Sequence, residues 1–179
     1  MKYIHITALC LSLASFSCAP TPAEKPEAAR STAATTGITP VSHTVTGKLE
    51  VMKFTSSGKE VIVTLQWRDY SNIIDPQVPK WYGDMGRPPA KYVVKSLTVS
   101  VDGKGIVIPE ANYRYLASQW MNDVKHLGVY KSGNNLNIYV NVGDGAAGWT
   151  ASYVINPAAG TLVSHQVIDG PEFHNQFAP

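Results

Sequence analysis

The sequence is poor in cysteine, and the two that it has, Cys10 and Cys18, both fall in the first twenty residues. The rest of the chain therefore cannot form a disulfide, a thiolate metal site or a cysteine nucleophile. An apolar run extends from about Ile6 to Phe16. This run is shorter than the roughly 20 apolar residues that a membrane-spanning helix needs, but it has the length of the apolar region of a secretory signal peptide.

The sequence also lacks a large excess of either sign of charge and lacks recognisable catalytic motifs. From Ile38 onward, nine Lys and three Arg are scattered among seven Asp and four Glu, which argues against nucleic acid as a partner. There is no Gly-x-Ser-x-Gly sequence, and the glycine-rich stretch 143–148 lacks the Lys-Ser/Thr ending of a phosphate-binding loop. The sequence therefore predicts no cofactor and no enzyme of a recognisable class.

Lys2, the apolar run and the ending Leu13-Ala14-Ser15-Phe16-Ser17-Cys18 resemble a bacterial lipoprotein leader over the first 18 or so residues. The resemblance implies that residues 1–17 are a signal peptide and that Cys18 becomes the lipidated first residue of the mature protein. It also implies that a non-acidic residue at Ala19 favours the outer membrane, with the protein facing the periplasm. The alternative is simple secretion or a periplasmic location.

The segment after Cys18 has the composition of a tether. Ala19–Gly37 contains no Val, Ile, Leu, Met or aromatic residue, so it cannot bury enough apolar surface to offset the entropy lost on ordering. A flexible tether directly after an acylated cysteine would lift a domain off a membrane surface. We therefore expect a lipidated tether over residues 18–37 and a single domain over 38–179.

Hydrophobic and polar residues alternate through most of this domain, which is the pattern of strands with one buried face. In 43–54 the pattern predicts that Val45, Leu49 and Val51 share that face. Asp102-Gly103 is a hairpin signal, and the other clear strands are 61–68, 97–101, 136–142, 149–155 and 163–167. The sequence predicts a mainly β domain, either an antiparallel sandwich or a small open barrel of seven or eight strands.

One helix is predicted at about residues 109–121. Pro109 suits a first helical turn, and Glu110 would lie beside the positive end of the helix dipole. An apolar stripe with helical spacing follows, formed by Tyr113, Leu116, Ala117, Trp120 and Met121. This stripe is typical of packing against a sheet.

Two groups of residues are candidate sites. The first is the segment 71–90, which is rich in proline and contains Trp81, Tyr82 and Arg87, residue types that are common at binding hot spots. The competing interpretation is that Trp81 folds back over the open end of the sheet. The second is a polar C-terminal cluster whose members could bind a metal ion, namely His165, Asp169, Glu172 and His174.

Three functions remain open from the sequence. The first is a non-enzymatic binding or inhibitory module of the cell envelope, which contacts a protein or a glycan through the segment 71–90. The second is an envelope hydrolase that uses carboxylates or a metal bound by the C-terminal cluster. The third is a structural component of an envelope complex.

Overall fold

Eleven strands form two antiparallel sheets in the computed structural model, which describes residues 35–75, 81–82, 90–119, 125–143 and 148–169. All of these residues belong to one compact unit, Thr32–Pro179. The leader, Cys18 and the predicted tether as far as residue 34 lie outside the described residues.

The N-terminal sheet has the strand order β2-β3-β4-β5-β6, and β7 pairs with the end of β5. Its strands are β2 (Ser42–Thr46), β3 (Leu49–Ser56), β4 (Lys59–Asp69), β5 (Tyr92–Val101), β6 (Lys104–Ile106) and β7 (Ala117–Ser118). The predicted Asp102-Gly103 hairpin is confirmed between β5 and β6, where both residues have positive φ, 48° and 75°.

The C-terminal sheet has the order β1-β8-β9-β10-β11. Its strands are β1 (Thr35–Gly37), β8 (Leu127–Ser132), β9 (Asn135–Val142), β10 (Trp149–Asn156) and β11 (Thr161–Asp169). The strand β1 pairs with β8, so three residues at the end of the predicted tether belong to the sheet. The strands β8–β11 form an uninterrupted meander of neighbours.

One hydrophobic core contains side chains from both sheets. The N-terminal sheet contributes mainly alternate residues of β3, β4 and β5, and the C-terminal sheet contributes those of β8, β9 and β10. The largest fully buried apolar side chains are Trp67, Trp149, Tyr153, Phe54 and Met52. The prediction of a mainly β antiparallel sandwich is confirmed, and the two sheets do not close into a barrel.

The strand count and one buried face differ from the prediction. There are eleven strands among the described residues rather than seven or eight, partly because a turn at Gly47 (φ 57°) and Lys48 divides 43–54 into β2 and β3. The buried face of β3 consists of Glu50, Met52, Phe54 and Ser56, whereas Leu49 is 39% exposed. The turn reverses the chain, so Val45 lies opposite Glu50 rather than continuing one face with Leu49.

The predicted helix at 109–121 is wrong over its described residues. A 3₁₀ turn spans Glu110–Asn112, and the chain then continues as β7. The reason is the free edge of β5, because the Val94 N–H donates to the Leu116 carbonyl at 3.0 Å and β7 pairs with Tyr92 and Val93. The backbone hydrogen bonds that form along this edge of β5 outweigh the preference for a helix that the apolar spacing indicates. Leu116 and Ala117 are nevertheless buried, as the stripe predicted.

No helix among the described residues has the length and apolar character that a membrane span requires.

The 3₁₀ turn is attached to the C-terminal sheet by a hydrogen bond from the Tyr153 hydroxyl to the Asn112 carbonyl, 2.9 Å long. Replacing Tyr153 with Phe should therefore lower the free energy of unfolding by about 1 kcal/mol, the usual net worth of such a bond. Urea unfolding should show this as a lower midpoint with an unchanged slope.

Tyr92→Phe is the control, because the Tyr92 hydroxyl makes no hydrogen bond to the described part of the chain. An equal loss of stability in both variants would contradict the role of the Tyr153 hydroxyl.

Candidate functional site

A buried carboxylate connects the two sheets. Glu50 of β3 is only 1% exposed. Its oxygens accept hydrogen bonds from the backbone N–H groups of His126 and Leu127, each at 2.9 Å, where β8 begins. The imidazole Nε2 of His43 lies 2.6 Å from Oε1, and Nδ1 of His126 lies 3.3 Å from Oε2. We call this arrangement the Glu50 clamp.

The donors of the clamp determine the ionisation of Glu50. Burial by itself raises the pKa of this carboxyl, but the hydrogen bonds from His126, Leu127 and His43 outweigh burial, and the pKa is lowered below its ordinary value of 4.5. Glu50 belongs to β3 of one sheet and accepts hydrogen bonds from the backbone at the start of β8 in the other. It therefore links the two sheets. Trp67 packs beside the clamp, with its ring centroid 5.5 Å from that of His126 and 6.4 Å from that of Trp149.

A second buried carboxylate holds a turn at the start of the predicted binding segment. Asp75 is buried and accepts two hydrogen bonds of 2.7 Å from the guanidinium of Arg68 at the end of β4. The Ser71 N–H donates to the Asp75 carboxylate at 2.7 Å, and the Asp75 N–H donates to the Ser71 carbonyl at 2.9 Å. The bonds from Arg68 lower the pKa of Asp75, so the carboxylate is charged and paired.

This braced turn exposes two large apolar side chains. Ile73 is 91% exposed and Ile74 is 66% exposed. The Ile73 N–H donates a hydrogen bond of 3.3 Å to the Ser71 hydroxyl. We call Ile73 and Ile74 the isoleucine tip. Single exposed hydrophobic residues are common on protein surfaces. Two adjacent ones at the apex of a turn fixed by the half-buried Arg68–Asp75 ion pair are the arrangement expected of a binding contact, because little conformational entropy remains to be lost.

The aromatic residues of the predicted binding segment are half-buried. Trp81 packs with Tyr70 against the small cluster of Ala90, Val93 and Ala117, and the two rings meet edge to face at 6.0 Å. The Tyr82 N–H donates to the Tyr115 carbonyl at 3.0 Å. The contacts of Trp81 are those of a residue that covers an end of the sheet. Arg87 lies outside the described residues, and the binding role of Trp81, Tyr82 and Arg87 stays a prediction.

The predicted metal ligands are only partly within the described residues. His165 lies on β11 with its ring 5.6 Å from that of Tyr153, and partial burial lowers the pKa of His165. Asp169 ends β11, while Glu172 and His174 lie outside the described residues. Within the described ranges no three potential ligands come together as a metal site. The metal-dependent alternative therefore stays a prediction.

Comparisons with protein families, with curated proteins and with solved structures each found no match.

The Glu50 clamp predicts a large effect of a small substitution. Glu50→Gln would place an amide NH₂ where the carboxylate now accepts bonds, and at least one buried donor would lose its acceptor. The free energy of unfolding should fall by about 3 kcal/mol. Glu60→Gln, on the exposed side of the neighbouring strand, is the matched control and should change stability by less than about 0.5 kcal/mol. Similar losses in both variants would contradict the clamp.

The clamp also predicts acid sensitivity. Because folding lowers the pKa of Glu50, the stability it contributes is complete above about pH 4.5 and is lost as the pH falls through the folded-state pKa. Asp75 acts in the same direction. Glu50→Gln should therefore unfold with a shallower dependence on pH below 4.5 than the parent protein, whereas Glu60→Gln should retain the full dependence. Parallel pH profiles for all three proteins would exclude an ionised Glu50.

The braced turn predicts a local effect at Asp75. Asp75→Ala should leave the Arg68 guanidinium unpaired and speed amide hydrogen exchange at Ser71 and at position 75 at least tenfold, because the turn then opens without global unfolding. Asp69→Ala removes an exposed partner of Lys48 and is the control, since exposed pairs contribute at most about 1 kcal/mol. Unchanged exchange in Asp75→Ala would show that the turn does not depend on the ion pair.

Proposed function

We propose that this protein is an exported, non-enzymatic binding module of the cell envelope, attached to the outer membrane through a lipid on Cys18 and facing the periplasm. Its β-sandwich would dock a protein partner through the isoleucine tip. The observation that carries the docking proposal is the ion pair of Arg68 with the buried Asp75, which fixes a turn whose apex exposes two isoleucines.

The sequence before the sandwich supports the anchor. The leader ends at Cys18, and β1 begins at Thr35. The residues between them, 19–34, contain no Val, Ile, Leu, Met or aromatic residue, and as the proposed tether they would span roughly 22 Å on average. That distance would separate the sandwich from the membrane surface and leave its loops accessible. Several acyl chains on one cysteine, as the lipoprotein resemblance implies, would give stable attachment.

The surroundings of the isoleucine tip support a protein as its partner. Apolar anchors surrounded by polar groups are typical of binding hot spots, where the polar rim excludes water from the buried contact. Here Ser71 and Asn72 precede the two isoleucines, and Arg68 and Asp69 lie at the base of the turn. Two isoleucine side chains would bury in a cleft of the partner, and each is worth about 1.5–3 kcal/mol on complete burial.

Site-specific photo-crosslinking in living cells tests the docking proposal. A photoreactive residue at position 73 should give a discrete protein adduct, and the additional change Ile74→Asp should abolish it. The same residue at Val107, which is 80% exposed after the end of β6, is the matched control and should not give that adduct. Either no adduct at position 73 or an identical one at position 107 would refute the proposed role of the tip.

The anchor is tested separately. Cys18→Ser should abolish incorporation of radiolabelled palmitate into the protein. Cys10→Ser changes a cysteine within the leader and should leave the labelling of the mature protein intact. Palmitate labelling of Cys18→Ser equal to that of the parent would contradict a lipid anchor at this residue.

A further inference from the structure

The outer face of the C-terminal sheet has an unusual composition. On β9, the fully buried Leu136, Ile138 and Val140 alternate with side chains that point away from the core. Across β8–β11 the outward side chains are those of Gly, Ser, Thr, Asn, Gln, Tyr, Val and Ile, and none of them is charged among the described residues. The central ones are Tyr130, Asn137, Tyr139, Asn141, Ser152 and Gln166. Of these, Asn137 and Ser152 are buried, Tyr130, Tyr139 and Asn141 are half-buried, and Gln166 is exposed. This neutral surface is separate from the isoleucine tip.

A tyrosine ring lies directly on the sheet at this face. A Cβ atom built on Gly128 would lie 2.1 Å from Cζ of Tyr139, so the phenol end of the ring occupies the space above Gly128. The Tyr130 ring lies beside it, with the two ring centroids 6.3 Å apart and the ring planes inclined at 40°. Gly128 is thus the residue that lets Tyr139 lie across β8. Together the two rings form an aromatic platform.

Hydrogen bonds hold the polar groups around the platform in place. The Asn137 amide donates to the Tyr130 hydroxyl and accepts a bond of 2.7 Å from the Ser152 hydroxyl. The Thr150 hydroxyl donates to Asn141 Oδ1 at 2.6 Å. This bond fixes the Asn141 amide, and its NH₂ group makes no hydrogen bond within the described ranges. The face therefore offers an oriented donor beside an aromatic ring.

We propose that this face binds a neutral polysaccharide chain. A sugar ring has an apolar C–H surface, which stacks on an aromatic ring, and a rim of hydroxyl groups, which exchange hydrogen bonds with amides. Tyr139 and Tyr130 would supply the stacking, and Asn141 and the exposed Gln166 would supply the hydrogen bonds. Single-stranded nucleic acids also stack on aromatic residues, but their binding grooves are positively charged, and the described outward side chains of β8–β11 carry no positive charge. The outward aliphatic side chains of this face are Val154 and Ile168, and Val163, at the register shift of β11, is also 56% exposed. Polar residues separate these three, which gives little continuous apolar area for the core of a protein interface.

Calorimetric titration of the full chain tests the proposal, with chitohexaose and cellohexaose as neutral probes. We expect at least one of them to bind. Tyr139→Ala should weaken that binding at least tenfold, which corresponds to about 1.4 kcal/mol, while Tyr139→Phe keeps the ring and should stay within about threefold of the parent.

Gly128→Ala provides the sharper test because it leaves the tyrosine in place and only displaces its ring. It should also weaken binding at least tenfold. Gly105→Ala is the matched control, since a Cβ atom there would meet no atom within 4 Å, and it should bind like the parent. Thermal unfolding of each variant shows whether the fold is kept.

Three results would overturn the proposal. One is the absence of binding of both oligosaccharides to the parent protein at millimolar concentration. Another is binding that a folded Gly128→Ala variant retains in full. The third is a protein, rather than a glycan, as the ligand whose binding the Tyr139 variants abolish. The isoleucine tip is tested by crosslinking at position 73 and the aromatic platform by oligosaccharide titration. The failure of one proposal therefore does not affect the test of the other.

Discussion

The sandwich depends on one buried carboxylate that belongs to one sheet and binds the backbone of the other. Glu50 lies on the core face of β3, between Val45 and Leu65 on the neighbouring strands. It accepts bonds from the backbone N–H groups of His126, just before β8, and Leu127, the first residue of β8. These N–H groups would otherwise be buried donors without an acceptor, which are costly in a protein interior. The clamp thus satisfies the beginning of β8 and fixes its position against β3.

Both proposed surfaces are connected to this clamp through short stretches of chain. Gly128 follows Leu127 directly on β8 and Tyr130 lies two residues further on, so the aromatic platform begins next to the clamp. On the other sheet, Trp67 packs against His126, and Arg68 is the next residue of β4. Its side chain points the opposite way, toward Asp75. The position of β4 in the core therefore determines where the guanidinium that braces the isoleucine tip can lie.

Much of the sandwich could be predicted from alternation, because each strand buries one face. The alternation of Val61 to Trp67 and of Leu136 to Val142 identified β4 and β9 and their buried residues. The helix at 109–121 could not be excluded in this way, because an apolar stripe with helical spacing fits a 3₁₀ turn followed by a short strand equally well. What decided the conformation was the unsatisfied edge of β5, a partner distant in sequence.

The sites were harder to predict because they depend on contacts between distant residues. Glu50 carried a signal that the sequence interpretation missed, since it lies two residues before Met52 and four before Phe54, in phase with the buried face. The composition of the segment 71–90 indicates a binding site, but the residue types that indicate it are the aromatic ones rather than Asp75 or the two isoleucines. The brace from Arg68 to Asp75 spans seven residues and exists only once the chain has turned at Ser71.

The central claim is that Glu50 is ionised inside the protein. A ¹³C NMR titration of the Glu50 side-chain carboxyl in the folded protein tests it most directly. We expect a carboxylate chemical shift at pH 5 and a titration midpoint below 4.5. A carboxyl that is already protonated at pH 5, or that titrates above 4.5, would contradict it, because a neutral Glu50 could not accept from all the donors that surround it.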